Sequence, residues 1–308
     1  MISFESLTKN VLDNFGGKRF QLSTEIQNHR IARLYTKAKR DQWNLDNKDF
    51  FPTEPMSREE INAWLGINDE MRLAAARTFS SFYYGEQGAK LISAQLSLEA
   101  PTLESGKFLA TQTMDEARHV EVFERILGLL DEIHPINPFL NALLADIYRA
   151  PSFAEKLVGM NLLVEGLALS AFRATIAALK PGVNISEQGY HAVGAPIEAI
   201  IRDESRHVGF GVVLLRDILG NLSFMEKTKL RVRQAGWLCL LYGSVKYHQR
   251  DQELIGIDYL ALLNQVIEDH ERRLVECGGD SLLSTAKMKS MVPAIDKLVD
   301  KVVSKYNR

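Results

Sequence analysis

The segment MDEARHVEVF, residues 114–123, contains a glutamate three residues before a histidine, with apolar side chains around them. Positions i and i+3 lie on one face of an α-helix, so Glu116 and His119 would point in the same direction. A single pair of this kind is common on solvated helices and by itself predicts little. Its meaning depends on whether other helices carry matching groups.

The same order, Asp-Glu-x-Arg-His, returns in RDESRHVGFG at residues 202–211, where the pair is Glu204 and His207. Two such motifs on two helices of a bundle, with one further glutamate from each of two other helices, form a dinuclear carboxylate site. The repeat therefore predicts a second pair of helices, each with an inward glutamate.

Two other helical stretches supply these glutamates. Glu165 lies in GMNLLVEGLALSAF (159–172), where no other charged residue accompanies it. Burying a lone carboxylate there is costly unless it is paired, protonated or bound to a metal. Glu86 lies in SSFYYGEQGAKL (80–91), after two tyrosines and before small residues. Many hard oxygen ligands with one imidazole per ion suit iron or manganese better than zinc.

Each motif also places an aspartate and an arginine beside its ligands. A metal-bound histidine usually donates its other N–H to a carboxylate. We therefore expect Asp203 to orient His119 and Asp115 to orient His207, crossing between the two helices. Arg118 and Arg206 would then balance these buried acids.

Composition fits an ordinary globular chain of 308 residues, with 46% hydrophobic residues, 25% charged residues and a net charge of −2. Basic residues form no block, so nucleic acid is not an expected partner. The N-terminal stretch has no basic region followed by an apolar core, and no run approaches the ~20 apolar residues of a membrane helix. Cys239 and Cys277 lack metal or redox spacing and suggest reduced thiols. A cytoplasmic protein without a membrane partner is expected.

Helical periodicity dominates the sequence and strand signals are nearly absent, which predicts an all-α fold. We expect a ferritin-like four-helix bundle core with additional flanking helices. The single domain, 1–308, would comprise a helical and irregular segment (1–55), the metal-binding core (68–219) and C-terminal helices packed on the core (223–308). The predicted helices span residues 69–100, 102–133, 152–179, 186–219, 223–248, 253–276 and 281–305.

The motifs YGEQGA, MDEARHVEVF and RDESRHVGFG resemble the metal-binding helices of ribonucleotide-reductase-like proteins in the ferritin superfamily. Within that group they most resemble the hydroxylase α chains of bacterial multicomponent monooxygenases, such as toluene and methane monooxygenases. The resemblance covers about residues 70–220. It implies two iron ions, with Mn/Fe as an alternative, and O2 as co-substrate. The implied metal ligands are Glu86, Glu116, His119, Glu165, Glu204 and His207. The four glutamates among them are also the implied catalytic residues.

Four positions depart from patterns found in such proteins. Leu169 stands where the hydroxylases carry a threonine, and Phe123 stands where the reductase subunit keeps its radical tyrosine. Met160 replaces the tyrosine that is crosslinked in the ligand-binding oxidases, and Ile200 replaces the extra histidine of the arylamine N-oxygenases. These differences disfavour tyrosyl-radical storage, the crosslink and a three-histidine site.

The resemblance implies an oxygenase that hydroxylates or N-oxygenates a small organic substrate. A di-metal oxidase or radical-generating subunit is the alternative, and iron storage is a third hypothesis. The chain has no G-x-G-x-x-G after a strand and no cysteine cluster, so a separate ferredoxin or reductase is expected to supply electrons. We also expect a homodimer. The predicted apolar lining of the site is Phe123, Leu163, Leu169, Phe172 and Val208, with ordinary core packing as the alternative role for each.

Overall fold

The structure is a computed structural model that describes residues 29–46, 50–279, 290, 293, 295–297 and 299–302. Within these ranges the chain is helical, and the only β pairing is an isolated bridge between Pro181 and Ile185. The all-α prediction is confirmed. Any helix before residue 29 lies outside the described residues. So does much of the predicted helix 281–305, whose described positions from 290 to 302 are helical.

Two short helices precede the core, α1 (His29–Arg40) and α2 (Arg58–Leu65). The side chain of Ser57 accepts a hydrogen bond from the backbone N–H of Glu60, and the Glu60 carboxylate accepts one from the N–H of Ser57. This reciprocal capping box satisfies two amides that a helix start leaves free. The order Ser-x-x-Glu at residues 57–60 is the sequence signature of such a box.

Four long helices form the core: α3 (Asp69–Glu99), α4 (Leu103–Leu130), α6 (Phe153–Ala178) and α7 (Glu187–Leu219). Each starts at a side-chain oxygen that accepts a hydrogen bond from a backbone N–H of the first turn, which fixes where the helix begins. These capping residues are Asn68, Thr102, Ser152 and Ser186. Helices α3 and α4 pack against each other, as do α6 and α7.

Four further helices flank the core: α5 (Pro138–Tyr148), α8 (Phe224–Tyr247), α9 (Gln249–Leu254) and α10 (Tyr259–Glu276). The sequence does not predict α5, which begins at Pro138 with Asn137 as its cap. It predicts one helix over 253–276, but Gly256, at φ 84°, separates α9 from α10. Helix α5 packs on α3 and α8, α9 packs on α3, and α10 packs on α6.

Helix α6 differs from the regular helix that the sequence predicts, because it is π-helical from Val158 to Val164. Such segments often occur at functional sites. Helix α7 approaches this segment so closely that a Cβ on Gly211 would lie 2.6 Å from the Cβ of Asn161. The sequence expectation that no run approaches a membrane helix is wrong for α6, which is long and apolar enough to cross a membrane; however, 78% of its most apolar window is buried inside the protein. We therefore assign it as a core helix.

Candidate metal centre

Six predicted side chains converge between the four long helices, and each is at most 4% exposed. They are Glu86 on α3, Glu116 and His119 on α4, Glu165 on α6, and Glu204 and His207 on α7. Their ligand atoms form two groups of four, and the atoms of each group all lie within 4.8 Å of one another. Glu116 and Glu204 belong to both groups.

The first group surrounds the imidazole of His119. Its Nδ1 lies 3.0 Å from Oε1 of Glu204, 3.3 Å from Oε2 of Glu116 and 3.5 Å from Oε2 of Glu86. The second group surrounds His207, whose Nδ1 lies 3.2 Å from Oε1 of Glu116. It also lies 3.5 Å from Oε2 of Glu204 and 3.6 Å from Oε1 of Glu165.

Glu116 and Glu204 each direct one oxygen to the first group and the other oxygen to the second. That is the arrangement required of carboxylates that bridge two ions. Nδ1 of both histidines, both oxygens of Glu204 and Oε2 of Glu116 have no hydrogen-bond partner among the described residues. Buried polar atoms are normally paired, so these convergent atoms fit two bound metal ions.

The other nitrogen of each histidine contacts an aspartate from the opposite motif. Nε2 of His119 lies 3.3 Å from Oδ2 of Asp203, and Nε2 of His207 lies 3.2 Å from Oδ2 of Asp115. The structure thus contains the crossing that the sequence predicts. An N–H donated from Nε2 to each aspartate leaves Nδ1 free to bind a metal.

Arg118 and Arg206 connect the two aspartates. Arg118 donates to Asp115 at 2.5 Å and to Asp203 at 3.0 Å. Arg206 donates to Asp203 at 2.5 Å and to Asp115 at 3.1 Å. Four glutamates and two aspartates against two guanidinium groups leave a formal charge of −4 when all acids are ionised and both histidines are neutral. Two divalent cations would balance this charge, which is too costly to bury alone.

The pKa values of the four glutamates reflect the same excess of negative charge. Burial raises the pKa of Glu86 and of Glu165 well above its ordinary value, and neighbouring carboxylates add to the effect. Burial opposes ionisation of Glu116 too, but His207 and His119 lower the pKa of Glu116 well below its ordinary value. The shared glutamate Glu204 also has a lowered pKa despite its burial, because Glu165 and both histidines contact it.

Burial alone would lower the pKa of both imidazoles. The surrounding carboxylates instead raise the pKa of each imidazole well above its ordinary value. The largest raising effect comes from Asp203 for His119 and from Glu165 for His207. Asp203 has a lowered pKa in spite of its burial, because His119 and Arg206 favour its charged form. Bound divalent cations would replace the protons that this site otherwise attracts.

Three polar residues that the sequence reading does not single out also contact the site. The Gln112 amide donates to Oε1 of Glu165 at 2.5 Å, and Asn161 donates to Oε1 of Gln112 at 2.9 Å and to the carbonyl of His207 at 3.1 Å. The Trp43 indole donates to Oδ2 of Asp203 at 2.9 Å. The sequence could have identified Gln112 as a neighbour of the site, because it lies one helical turn before Glu116. Nothing local distinguishes Trp43, which lies 160 residues before its partner.

A cavity of about 70 Å³ adjoins the centre, with Glu86 and Glu165 in its wall. Of the five residues predicted to line the site, Phe172 lines this cavity. Leu163, Leu169, Val208 and Phe123 are buried but do not line it. For those four, lining of the metal site itself stays a prediction, because the helical period identifies an inward face and cannot show which inward residues border a space.

Phe123 is fully buried, and its ring centroid lies 5.5 to 6.2 Å from those of Phe79, Phe82 and Phe172. Tyr83 packs against Tyr84 at 5.3 Å and does not line the cavity. Among the described residues, the ring contacts of Phe123 are all with phenylalanines, and Tyr83 packs at the edge of the same buried cluster.

No family profile matches the sequence, and no curated protein matches it. Solved structures match in fold. A protein with aldehyde deformylating oxidase activity from Synechococcus is 20% identical, with a TM-score of 0.57, over 70% of this chain and 94% of that one. Two variants of an R2-like ligand-binding oxidase with a Mn/Fe cofactor are 24% and 23% identical, with TM-scores of 0.64 and 0.65. Each covers 84% of this chain and 98% of the oxidase.

These neighbours are ferritin-like helical proteins, and the predicted fold class is confirmed. They are not specifically hydroxylase α chains, so the narrower resemblance stays a prediction. The chain shares the ferritin-like fold of these oxidases.

Proposed function

We propose that this protein is a di-metal oxidase that activates O2. The observation that carries the proposal is the pair of buried ligand groups, joined by Glu116 and Glu204, whose inward atoms lack hydrogen-bond partners. The donor set of carboxylates with one imidazole per group suits two iron ions or a Mn/Fe pair. The structural neighbours described as oxidases, some with a Mn/Fe cofactor, support the same assignment.

In this proposal Glu86, Glu116, His119 and Glu204 hold one ion, and Glu116, Glu165, Glu204 and His207 hold the other. The pair of ions would supply the electrons that reduce O2. Asp203 and Asp115 accept the Nε2 protons of the two histidines and so keep each Nδ1 directed inward. The aromatic cluster of Phe79, Phe82, Phe123 and Phe172 limits access of water to the centre.

Oxygenation of a small organic substrate is the second candidate function, and the cavity beside Glu86 and Glu165 favours it. Its wall is mostly apolar with a few polar side chains, which is typical of small-molecule sites. Leu169 in place of the hydroxylase threonine weighs against a close copy of hydroxylase chemistry. We further propose a cytoplasmic homodimer that receives electrons from a separate protein.

Oxygen uptake tests the proposal directly. Protein loaded with iron, or with manganese and iron, is reduced, separated from excess reductant and exposed to O2 in an electrode cell. The wild type and Glu124→Ala, which changes an exposed glutamate on α4, should consume O2, whereas Glu204→Ala should not. Absence of uptake by loaded wild type would refute the proposal.

Isotope labelling separates the two candidate functions. With 18O2 and toluene as a probe, oxygenation places 18O in an organic product. Oxidase chemistry places the label in water or hydrogen peroxide alone.

Electron paramagnetic resonance tests radical storage. Because Phe123 is buried among phenylalanines, we expect no long-lived tyrosyl signal after the reduced protein meets O2. A stable tyrosyl signal in the wild type would favour a radical-generating subunit instead.

A further inference from the structure

The cavity beside the metal centre has a polar region that the proposed function does not use. Thr78 and Ser81 on α3, His248 at the end of α8, and Gln252 on α9 line it together with Glu86. Along α3, Thr78 precedes Glu86 by about 12 Å at 1.5 Å per residue. One cavity therefore borders both the candidate ligands and a separate group of hydrogen-bonding side chains.

Three atoms in this polar region have no hydrogen-bond partner among the described residues. They are Oγ1 of Thr78, Nδ1 of His248 and Oε1 of Gln252, on side chains that are 2%, 7% and 7% exposed. The nearest acid to Nδ1 of His248 is Asp251, at 3.5 Å. Leaving several buried polar atoms unpaired is costly, and their grouping in one cavity wall indicates a ligand that hydrogen-bonds there.

Apart from the metal-centre glutamates, the charged side chains next to His248 are already paired. Asp251 receives three contacts of 2.7 to 2.9 Å from Arg77, which neutralise it. Ser81 Oγ lies 2.7 Å from Nε2 of His248, so this ring nitrogen is also occupied. The nearby pair of Glu132 and His134 does not line the cavity. At this polar end, no unpaired cationic side chain lines the cavity among the described residues, which disfavours an anionic group at this end of the ligand.

The unpaired atoms of the polar region favour a ligand group that donates a hydrogen bond. The amide oxygen of Gln252 only accepts, and the hydroxyl of Thr78 both donates and accepts. The rest of the wall is apolar and includes Phe82, Val164 and Phe172. A hydroxyl or primary amide would satisfy the polar atoms, whereas a carboxylate would leave the oxygen of Gln252 unpaired.

We propose that Thr78 and Gln252, with His248, bind the hydroxyl or amide group of an uncharged amphipathic substrate. Its apolar part lies against Phe82 and Phe172, next to Glu86 and Glu165. This proposal names a substrate class for the proposed O2-activating function, and it rests on that function.

A nucleophilic role for Ser81 with His248 and Asp251 fits less well. Ser81 lies inside α3, where the backbone amides are engaged in the helix and cannot stabilise an oxyanion. The geometry favours binding over acyl transfer.

Calorimetric titration of the metal-loaded protein with 1-octanol, octanamide and octanoate tests the proposal. Wild type should bind octanol and octanamide more tightly than octanoate. Thr78→Val, which keeps the side-chain shape, and Gln252→Leu should each weaken octanol binding about fivefold or more, as expected for a lost hydrogen bond. Thr175→Val is the matched control, because Thr175 is equally buried, at 2%, and lies outside this cavity. Circular dichroism checks that each variant is folded.

Octanoate binding more tightly than octanol, or equal octanol affinity in wild type and both folded variants, would overturn the proposal. Oxygen uptake is measured on the same preparations. Octanol binding with the expected losses but no O2 uptake would sink the proposed function and leave the binding site. O2 uptake together with unchanged octanol binding in the variants would support the proposed function and overturn the proposed binding site.

Discussion

The two halves of the metal centre carry nearly the same motif but have different surroundings. In both, Nε2 of a histidine contacts an aspartate of the opposite motif, and an arginine connects the two aspartates. Glu165, in the α6–α7 half, accepts a hydrogen bond from Gln112. Glu86, in the α3–α4 half, accepts none from an amide or hydroxyl among the described residues.

The aspartates differ as well. Asp203 has the Trp43 indole as a further donor, and Asp115 has no such donor among the described residues. A repeated motif therefore specifies ligand types but does not make two equal positions. Because neighbouring groups tune a metal site, we expect the two ions to be held with different affinity.

The largest effect should come from the shared ligands. Glu204→Ala removes an oxygen from both groups, so we expect less than about one metal per chain, whereas Glu86→Ala should retain about one. Elemental analysis of desalted protein measures this, with Glu124→Ala as the control. Equal metal content in the Glu204 and Glu86 variants would contradict the two-group arrangement.

An intermediate effect should come from the aspartates. Asp203→Asn and Asp115→Asn keep the shape but weaken the hold on His119 and His207, and each should reduce metal affinity roughly 10- to 100-fold. Competition with a chelator measures the affinity of each ion. Wild-type affinity in both variants would show that the aspartates do not orient the histidines.

The smallest effect should come from the donor that only Asp203 has. Trp43→Phe removes the indole hydrogen bond and should lower the free energy of unfolding by about 1 to 2 kcal/mol. Urea unfolding measures this. The control is Trp64→Phe, since the Trp64 indole makes no hydrogen bond among the described residues. If both variants lost the same free energy of unfolding, the effect would come from the smaller ring and not from the hydrogen bond.

Much of the site follows from local sequence. The i,i+3 spacing places Glu116 with His119 and Glu204 with His207, and the repeat identifies the helices that must pair. The crossing of Asp115 and Asp203 follows once those helices face each other. Glu165 stands out because it is the only charge in an apolar run.

Other features depend on contacts that no local pattern shows. The π-helical segment of α6 lies where α7 approaches it closely at Gly211, a contact between distant parts of the chain. Trp43 reaches Asp203 from a distant part of the chain. His248 and Gln252 border the cavity only because α9 packs on α3, and nothing in their spacing indicates it.

Anomalous X-ray diffraction tests the central claim most directly. Crystals of protein supplied with iron and manganese are measured on both sides of each absorption edge. We predict two anomalous peaks per chain. One lies among Glu86, Glu116, His119 and Glu204, and the other lies among Glu116, Glu165, Glu204 and His207. A single peak, a zinc ion alone, or peaks outside these two groups would contradict the account.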